Sequence, residues 1–241
     1  MSRAFFISDA HLGLETREKE AEKERRLLRF LFHVKEQGSH LFIVGDLFDA
    51  WFEYRTVIPK GYHRLFTALE DITRADIEVN YLAGNHDYWM RNFFRDFLGV
   101  QTYSEPFAVT IDQKKFYIHH GDGLAANDSG YRMLKKVLRN PVSMRLYSWL
   151  HPDIGITIAR ASSRKSRHYT SQKRYGEEDG MRRFAAKKIA EGIDYVIMGH
   201  RHQPIAVPIE KGLYVNLGDW ISYFTFAEFA NGQLELKTWK E

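Results

Sequence analysis

The stretch Leu41-Phe42-Ile43-Val44-Gly45-Asp46-Leu47-Phe48-Asp49 sets four apolar residues directly before a glycine and a carboxylate. A short apolar run of this kind reads as a strand buried on both faces, and such strands belong to sheets covered by helices. Gly45 lets the chain turn sharply where the strand ends. Asp46 is then held at the rim of a core, where an ionised carboxylate is costly unless something pairs with it.

The same layout recurs on either side. The run 4–8 leads into Asp9-Ala10-His11, 79–83 into Gly84-Asn85-His86-Asp87, 107–119 into His120-Gly121-Asp122, and 195–198 into Gly199-His200-Arg201-His202. Carboxylate, amide and imidazole groups are thus gathered at strand ends, and a pair of divalent cations is the simplest partner for them. Asp9 and His11 point the same way because strand side chains alternate with period two, and His200 and His202 share that spacing. The carboxylate of Asp46 can bridge two ions, with Asn85 as a neutral oxygen donor. Such a bridge fits the roughly 3.5–4 Å spacing of two-metal hydrolytic sites. Mixed oxygen and nitrogen ligands suit manganese, iron or zinc better than calcium or magnesium alone.

Amphipathic spacing predicts helices over 16–38 and 62–72, so strand and helix alternate as in an α/β layered core. Residues 107–119 change to closely spaced β segments with a turn near Asp112-Gln113-Lys114, which predicts a second sheet; short strands follow at 205–207, 213–215, 223–228 and 234–239. The interval 123–192 is strand-poor, basic and aromatic, with helical spacing at 131–139, 142–150 and 180–191. The expected organisation is a core of 1–122 and 193–241 carrying a helical cap inserted at 123–192. Within the cap, 161–173 reads as the most polar and most mobile stretch.

The 241 residues include no cysteine, which excludes disulfides, thiolate metal sites and thiol nucleophiles. No run approaches the roughly 18–20 apolar residues of a membrane-spanning helix. The apolar N-terminal stretch is too short for a secretory signal, so the expectation is a soluble protein, or a surface visitor to a membrane, that starts at its motif. The net charge is only +4, but Lys and Arg crowd into 131–188 against Asp153, Glu177, Glu178 and Asp179. That asymmetry points to a partner bearing phosphates or an anionic surface.

Together the five motifs resemble those of the calcineurin-like metallophosphoesterases, over essentially the whole chain. The resemblance implies a two-sheet αββα sandwich with a dinuclear site on loops at the sheet ends. Asp9, His11, Asp46 and His202 would hold one ion, and Asp46, Asn85, His120 and His200 the other. It implies in-line attack on phosphorus by a hydroxide held between the ions, with His86 stabilising the transition state or protonating the leaving oxygen and Asp87 orienting it. Asp49 and Asp122 read as carboxylates that orient ligand imidazoles, and His119, facing away from its neighbour, as structural.

Three further features resemble the UDP-2,3-diacylglucosamine pyrophosphatases of lipid A synthesis within that family: Gly45-Asp46-Leu47-Phe48-Asp49-Ala50-Trp51, the sequence Asn127-Asp128 and Gly130-Tyr131 after His120-Gly121-Asp122, and a basic helical cap in the same interval. This implies cleavage to UMP and 2,3-diacylglucosamine 1-phosphate, two Mn2+ ions, and substrate contacts from Asp128, Tyr131, Arg160, Ser163 and Arg164. It also implies a cytoplasmic enzyme peripheral to the inner membrane. Two acyl chains call for an apolar cleft, since each buried methylene is worth about 0.8 kcal/mol; Leu146, Tyr147, Trp149, Leu150, Ile154, Ile156 and Ile158 would supply it. Basic cap residues would meet phosphates or the anionic membrane face. His86 stands where the best-known members of this branch have arginine, which keeps open a phosphodiesterase or nuclease acting on nucleotides or nucleic acids. Nucleic acid is the less favoured partner, and the oligomeric state is not encoded.

Overall fold

The computed structural model describes residues 2–124, 129–171 and 180–240. Strand and helix alternate first, through β1 (Ala4–Ile7), α1 (Arg17–Gln37), β2 (His40–Val44), α2 (His63–Arg74), β3 (Glu78–Leu82), α3 (Phe93–Leu98) and β4 (Gln101–Tyr103). A hairpin of β5 (Phe107–Ile111) and β6 (Lys114–Ile118) follows, then α4 (Ser129–Leu138), α5 (Pro141–Tyr147), α6 (Pro152–Ser171) and α7 (Gly180–Ala190). The chain closes with β7 (Tyr195–Met198), β8 (Pro204–Ile209), β9 (Gly212–Leu217), β10 (Thr225–Ala230) and β11 (Gln233–Thr238).

These strands form two sheets, ordered β11-β10-β1-β2-β3-β4 and β5-β6-β7-β9-β8. Period-two alternation decides which face each side chain takes. Ala4, Phe6, Phe42 and Val44 turn toward the second sheet and meet Phe116, Ile118, Ile197 and Val215. Phe6 stacks on Phe42 at 4.7 Å and on Phe116 at 5.6 Å, and so ties the two sheets together. Phe5, Ile7, Leu41 and Ile43 face the other way, against Leu27, Phe30, Leu31 and Val34 of α1 and Leu65, Leu69 and Ile72 of α2. The i, i+3, i+4, i+7 spacing of the α1 residues is the apolar stripe of a surface helix, and Gly38 ends it by donating its N–H to the Val34 carbonyl at 2.8 Å.

The second sheet is covered by α7, whose Met181, Ala185 and Ile189 pack on Val196, Met198 and Tyr214. The layers are therefore helix, sheet, sheet, helix, as expected. One feature differs from the sequence reading: α7 falls inside the interval 123–192, yet it is the outer layer of the core. Helical spacing fixes an apolar stripe but not the sheet that the stripe covers. The sequence reading also placed no helix over 152–171, where α6 runs; positions 172 and 173 of the polar stretch 161–173 lie outside the described residues. The elements α3 and β4, six and three residues long, went unread because neither spans enough periods to register.

The cap proper, α4 to α6, is thinly packed: α5 buries no residue, and only Gly155 and Ser163 are buried among the described residues of α6. What positions the site is the strand register. β1, β2 and β3 run parallel, with Ile7 beside Ile43 and Val44 beside Leu82, and β6, β7 and β9 run parallel with Ile118 beside Ile197 and Met198 beside Asn216. Six polar segments consequently leave their strands at the carboxyl ends, where α/β sheets bind ligands.

Candidate metal centre

Three overlapping groups form at that rim: Asp9, His11 and His202; His11, Asp46 and His86; and Asp46, His120 and His200, the candidate ligand atoms of each lying within 4.8 Å of one another. The Nε2 of His11 stands 3.7 Å from Asp9 Oδ1 and 3.7 Å from Asp46 Oδ2. The Nε2 of His120 is 3.2 Å from Asp46 Oδ2 and 3.1 Å from Asn85 Oδ1, and that of His202 is 3.5 Å from Asp9 Oδ1. All seven residues named as ligands from sequence are thus brought to one place, with Asp46 between the two sides. His86 joins them, closer to the ligand set than its neighbouring position alone implied.

Backbone conformation explains how short strand ends converge so tightly. Asp9, His11, Asp46, His200 and His202 all have positive φ, between 43° and 72°. Left-handed backbone is uncommon for residues with a Cβ, costs on the order of 1–3 kcal/mol each, and persists where the surroundings over-determine it. Here the surroundings are hydrogen bonds: Asp9 N–H donates to the Gly45 carbonyl at 3.1 Å, His11 N–H to the Asp46 carbonyl at 3.0 Å, and His200 N–H to Asp9 Oδ2 at 2.8 Å. Two glycines give the room. A Cβ on Gly84 would collide with Asp46 Oδ1, and one on Gly199 with Asp9 Oδ2.

The donor set fits divalent cations. Asp9 and His11 have no solvent exposure, yet Asp9 Oδ1 and both ring nitrogens of His11 find no hydrogen-bond partner, a costly state for buried polar atoms unless a ligand satisfies them. Electrostatics agree. Burial by itself would depress His120, but Asp46, with Asp9 and Asp122 adding, lifts its pKa to about 10. Burial also works against an ionised Asp46, and His120 and His86 still hold it well below the ordinary carboxylate range. A cluster that draws a proton onto a buried imidazole is a cluster short of positive charge.

Around this centre the supporting residues take definite tasks. Asp49 Oδ1 lies 3.6 Å from His11 Nδ1 and accepts from Ser163 Oγ at 2.8 Å. His86 Nδ1 is 3.0 Å from the Asp49 carbonyl and 2.9 Å from Ser163 Oγ, so Ser163, on α6, reaches from the cap to the histidine beside the ligands. Asp87 spends its oxygens elsewhere: they accept from Gly84 N–H and Leu47 N–H, each at 2.7 Å, and from the Tyr81 hydroxyl. It braces the two ligand loops against each other, while His86 is held by Asp49 and Ser163. His119 turns its Nδ1 back to accept from Gly121 N–H at 2.7 Å and packs on Phe184.

Two residues escaped the sequence reading. Asp219 Oδ2 stands 3.3 Å from His202 Nδ1, while its Oδ1 accepts from the N–H groups of Ile221, Ser222 and Tyr223 at 2.7–3.1 Å. Asn216, fully buried, donates to the Gly199 carbonyl at 2.6 Å and steadies the loop carrying His200. The signal was present: Gly218-Asp219 follows an apolar strand just as Gly45-Asp46 does.

Between cap and core lies a cleft of about 210 Å³ that opens beside Asn85 and His86. Its wall is aromatic and apolar at Trp51, Trp89, Tyr147, Leu138 and Ile158, and basic at Lys135 and Arg139. Of the cap residues expected to be apolar lining, Tyr147 and Ile158 are in this wall, whereas Leu146, Trp149 and Ile154 are 55%, 74% and 55% exposed. Of the expected substrate contacts, Ser163 lines the cleft and exposed Arg160 reaches the Tyr62 hydroxyl. Asp128 lies outside the described residues, as do the side chains of Tyr131 and Arg164, whose backbones belong to α4 and α6.

Comparison with known proteins agrees with this geometry. A UDP-2,3-diacylglucosamine hydrolase of Porphyromonas gingivalis is 30% identical over all of this chain and 98% of its own length, and one of Nitrosococcus oceani is 28% identical over 90% of this chain and 86% of its own. Among solved structures, an archaeal phosphodiesterase covers 98% of both chains with a TM-score of 0.50 at 14% identity, a likeness of fold. The family model for calcineurin-like phosphoesterase matches residues 2–204. With its rim of aspartate, asparagine and histidine ligands at the ends of two stacked sheets, the chain belongs to the calcineurin-like phosphoesterase family and is a metal-dependent phosphoester hydrolase.

Proposed function

We propose that this hydrolase cleaves the pyrophosphate of UDP-2,3-diacylglucosamine, giving UMP and 2,3-diacylglucosamine 1-phosphate, and that it works with Mn2+ at the cytoplasmic face of the inner membrane. The observation that carries this reading is the two-natured cleft, in which phosphate-seeking groups at Asn85, His86, Lys135 and Arg139 adjoin an apolar aromatic wall. An amphiphilic phosphoester matches both parts, and the full-length relative from P. gingivalis bears the corresponding name.

When bound by Asp9, His11, Asp46, Asn85, His120, His200 and His202, two divalent ions supply Lewis-acid polarisation of phosphoryl oxygen and activation of water. The chain's own residues then define the rest. Asp46 presents one oxygen toward His11 and His120 while its other oxygen accepts from His86 N–H at 2.9 Å, which fixes the carboxylate's orientation. With Nδ1 of His86 committed to the Asp49 carbonyl, Nε2 is the nitrogen left to face a leaving oxygen. Burial keeps that ring neutral, its pKa near 4, until the negative charge of a bound phosphate draws a proton to it. The cleft wall excludes water from the apolar part of the substrate.

Support for the membrane contact comes from the cap surface. Val142, Leu146, Trp149 and Ile154 are 65%, 55%, 74% and 55% exposed, and Arg55, Arg91 and Arg145 share a groove with Trp149. Exposed apolar side chains beside cations suit an anionic bilayer surface. Among the described residues no helix is long and apolar enough to cross a membrane.

The test is release of UMP by the purified, Mn2+-loaded protein from UDP-2,3-diacylglucosamine presented in phosphatidylglycerol vesicles and in phosphatidylcholine vesicles. UMP release, faster on the anionic vesicles, is the expected result. No UMP release, together with salt-sensitive cleavage of oligonucleotides, would replace this reading by a nuclease.

A further inference from the structure

Lys135 on α4 and Arg139, one helical turn further along, converge on a single carboxylate. Lys135 Nζ is 2.7 Å from Asp122 Oδ2 and Arg139 Nη2 is 3.5 Å from the same oxygen. Arg139 is held from a second side as well, its guanidinium lying 3.9 Å over the Tyr88 ring. Both side chains are mostly covered, 25% and 14% exposed, and both line the cleft beside Asn85 and His86. Arg139 Nη1 also lies 3.8 Å from Glu105 Oε1, but Glu105 is 74% exposed and its charge is screened by solvent, so buried Asp122 faces two cations and the arrangement leaves positive charge toward the cleft. Because Asp122 lies two residues after His120, the chain itself fixes how far this charge stands from the metal ligands.

A pyrophosphate has two phosphoryl groups, and a centre that binds the attacked one leaves the other with its own negative charge to be met nearby. We infer that Lys135 and Arg139 form the subsite for that second phosphate, so that the cap, rather than the metal motifs, sets a preference for pyrophosphates over simple phosphoesters; this rests on the pyrophosphate reading above. Asp122 keeps the two cations aimed at the cleft, and the stacking of Arg139 on Tyr88 fixes its fork for charge-assisted hydrogen bonds to phosphate oxygens. Lys135, less covered and carried on a flexible stem, follows the phosphate's position from its contact with Asp122.

Isothermal titration of the Mn2+-loaded protein with α,β-methylene-UDP and with UMP tests this without requiring turnover. The wild type is expected to bind the diphosphate analogue at least about tenfold more tightly than UMP, as charged hydrogen bonds of ordinary strength give. The Lys135→Ala/Arg139→Ala variant is expected to lose that ratio, and Lys135→Arg to keep it. A ratio unchanged in the double variant, or no preference in the wild type, overturns the inference. Should the double variant show no cooperative melting, the single variant Lys135→Gln is read by the same ratio. An intact ratio with no UMP release from the acylated substrate would sink the reading of the substrate and leave the subsite standing.

Discussion

The metal rim and the cap are built on opposite terms. At the rim, Asp9, His11, Asp46 and His120 are 0–2% exposed and sit in loops cross-tied by backbone hydrogen bonds, with most ligands in left-handed backbone. In the cap, α5 buries nothing, and Met133, Val142 and Trp149 stand 72%, 65% and 74% exposed. Strained, desolvated chemistry survives only where packing dictates it, whereas a surface that meets a large or variable partner can remain loosely packed. With the proposed substrate, the difference places reaction type in the sheets and substrate choice in the insertion.

If that division holds, the rim should tolerate no loss at its centre. Asp46→Ala is expected to lower turnover of any phosphoester by about 10³-fold or more and to reduce the metal retained after gel filtration; near-normal activity would mean that the buried rim is not the reacting centre. A milder test lies one shell away. Asp219→Asn leaves every ligand in place but weakens the hold on His202, so metal affinity should fall about 10- to 100-fold, read by titrating activity and tryptophan fluorescence against Mn2+. Unchanged affinity would show that His202 needs no orienting partner.

The smallest change concerns the sheet beneath the rim, far from either region's chemistry. Glu228 on β10 is 6% exposed and pairs with Arg3 and with Lys237 at 2.7 Å. Burial opposes its ionisation, but the hydrogen bonds from Lys237 and Arg3 prevail and depress its pKa. A depressed folded-state pKa contributes stability that is fully present above the unfolded value, about 4.3, and is lost as pH falls toward the folded value. Glu228→Gln should therefore cost about 1–3 kcal/mol at pH 7, and urea melts should show the gap to wild type closing below about pH 4. A gap that widened in acid would contradict the assigned sign.

Much of this was legible in the chain because apolar runs and punctuating glycines carry period and boundary at once. The runs at 41–44 and 195–198 became β2 and β7 nearly residue for residue, and the motifs behind them meet at the rim. Other features leave no local trace. Nothing in the letters of Asp9 or His202 marks a positive φ, since that conformation is imposed by partners far along the chain. Asp219 followed the right pattern, but Asn216 interrupts the apolar run before it, so the match to Gly45-Asp46 is blurred. The role of Ser163 depends on α6 crossing the cleft, a tertiary fact, and α7 could be read as a helix without revealing which layer it joins.

The pairing of β1 with β10 has a temporal meaning. Phe5 lies opposite Glu228, and Asp9 is anchored by the N–H of His200 and of Trp220. During synthesis the first ligand residues leave the ribosome long before the segments that clasp them, so the early strands wait with an open edge. The rim can therefore close on its ions only after residues 200–220 have emerged, so cation uptake follows the synthesis of that segment rather than of the first motifs.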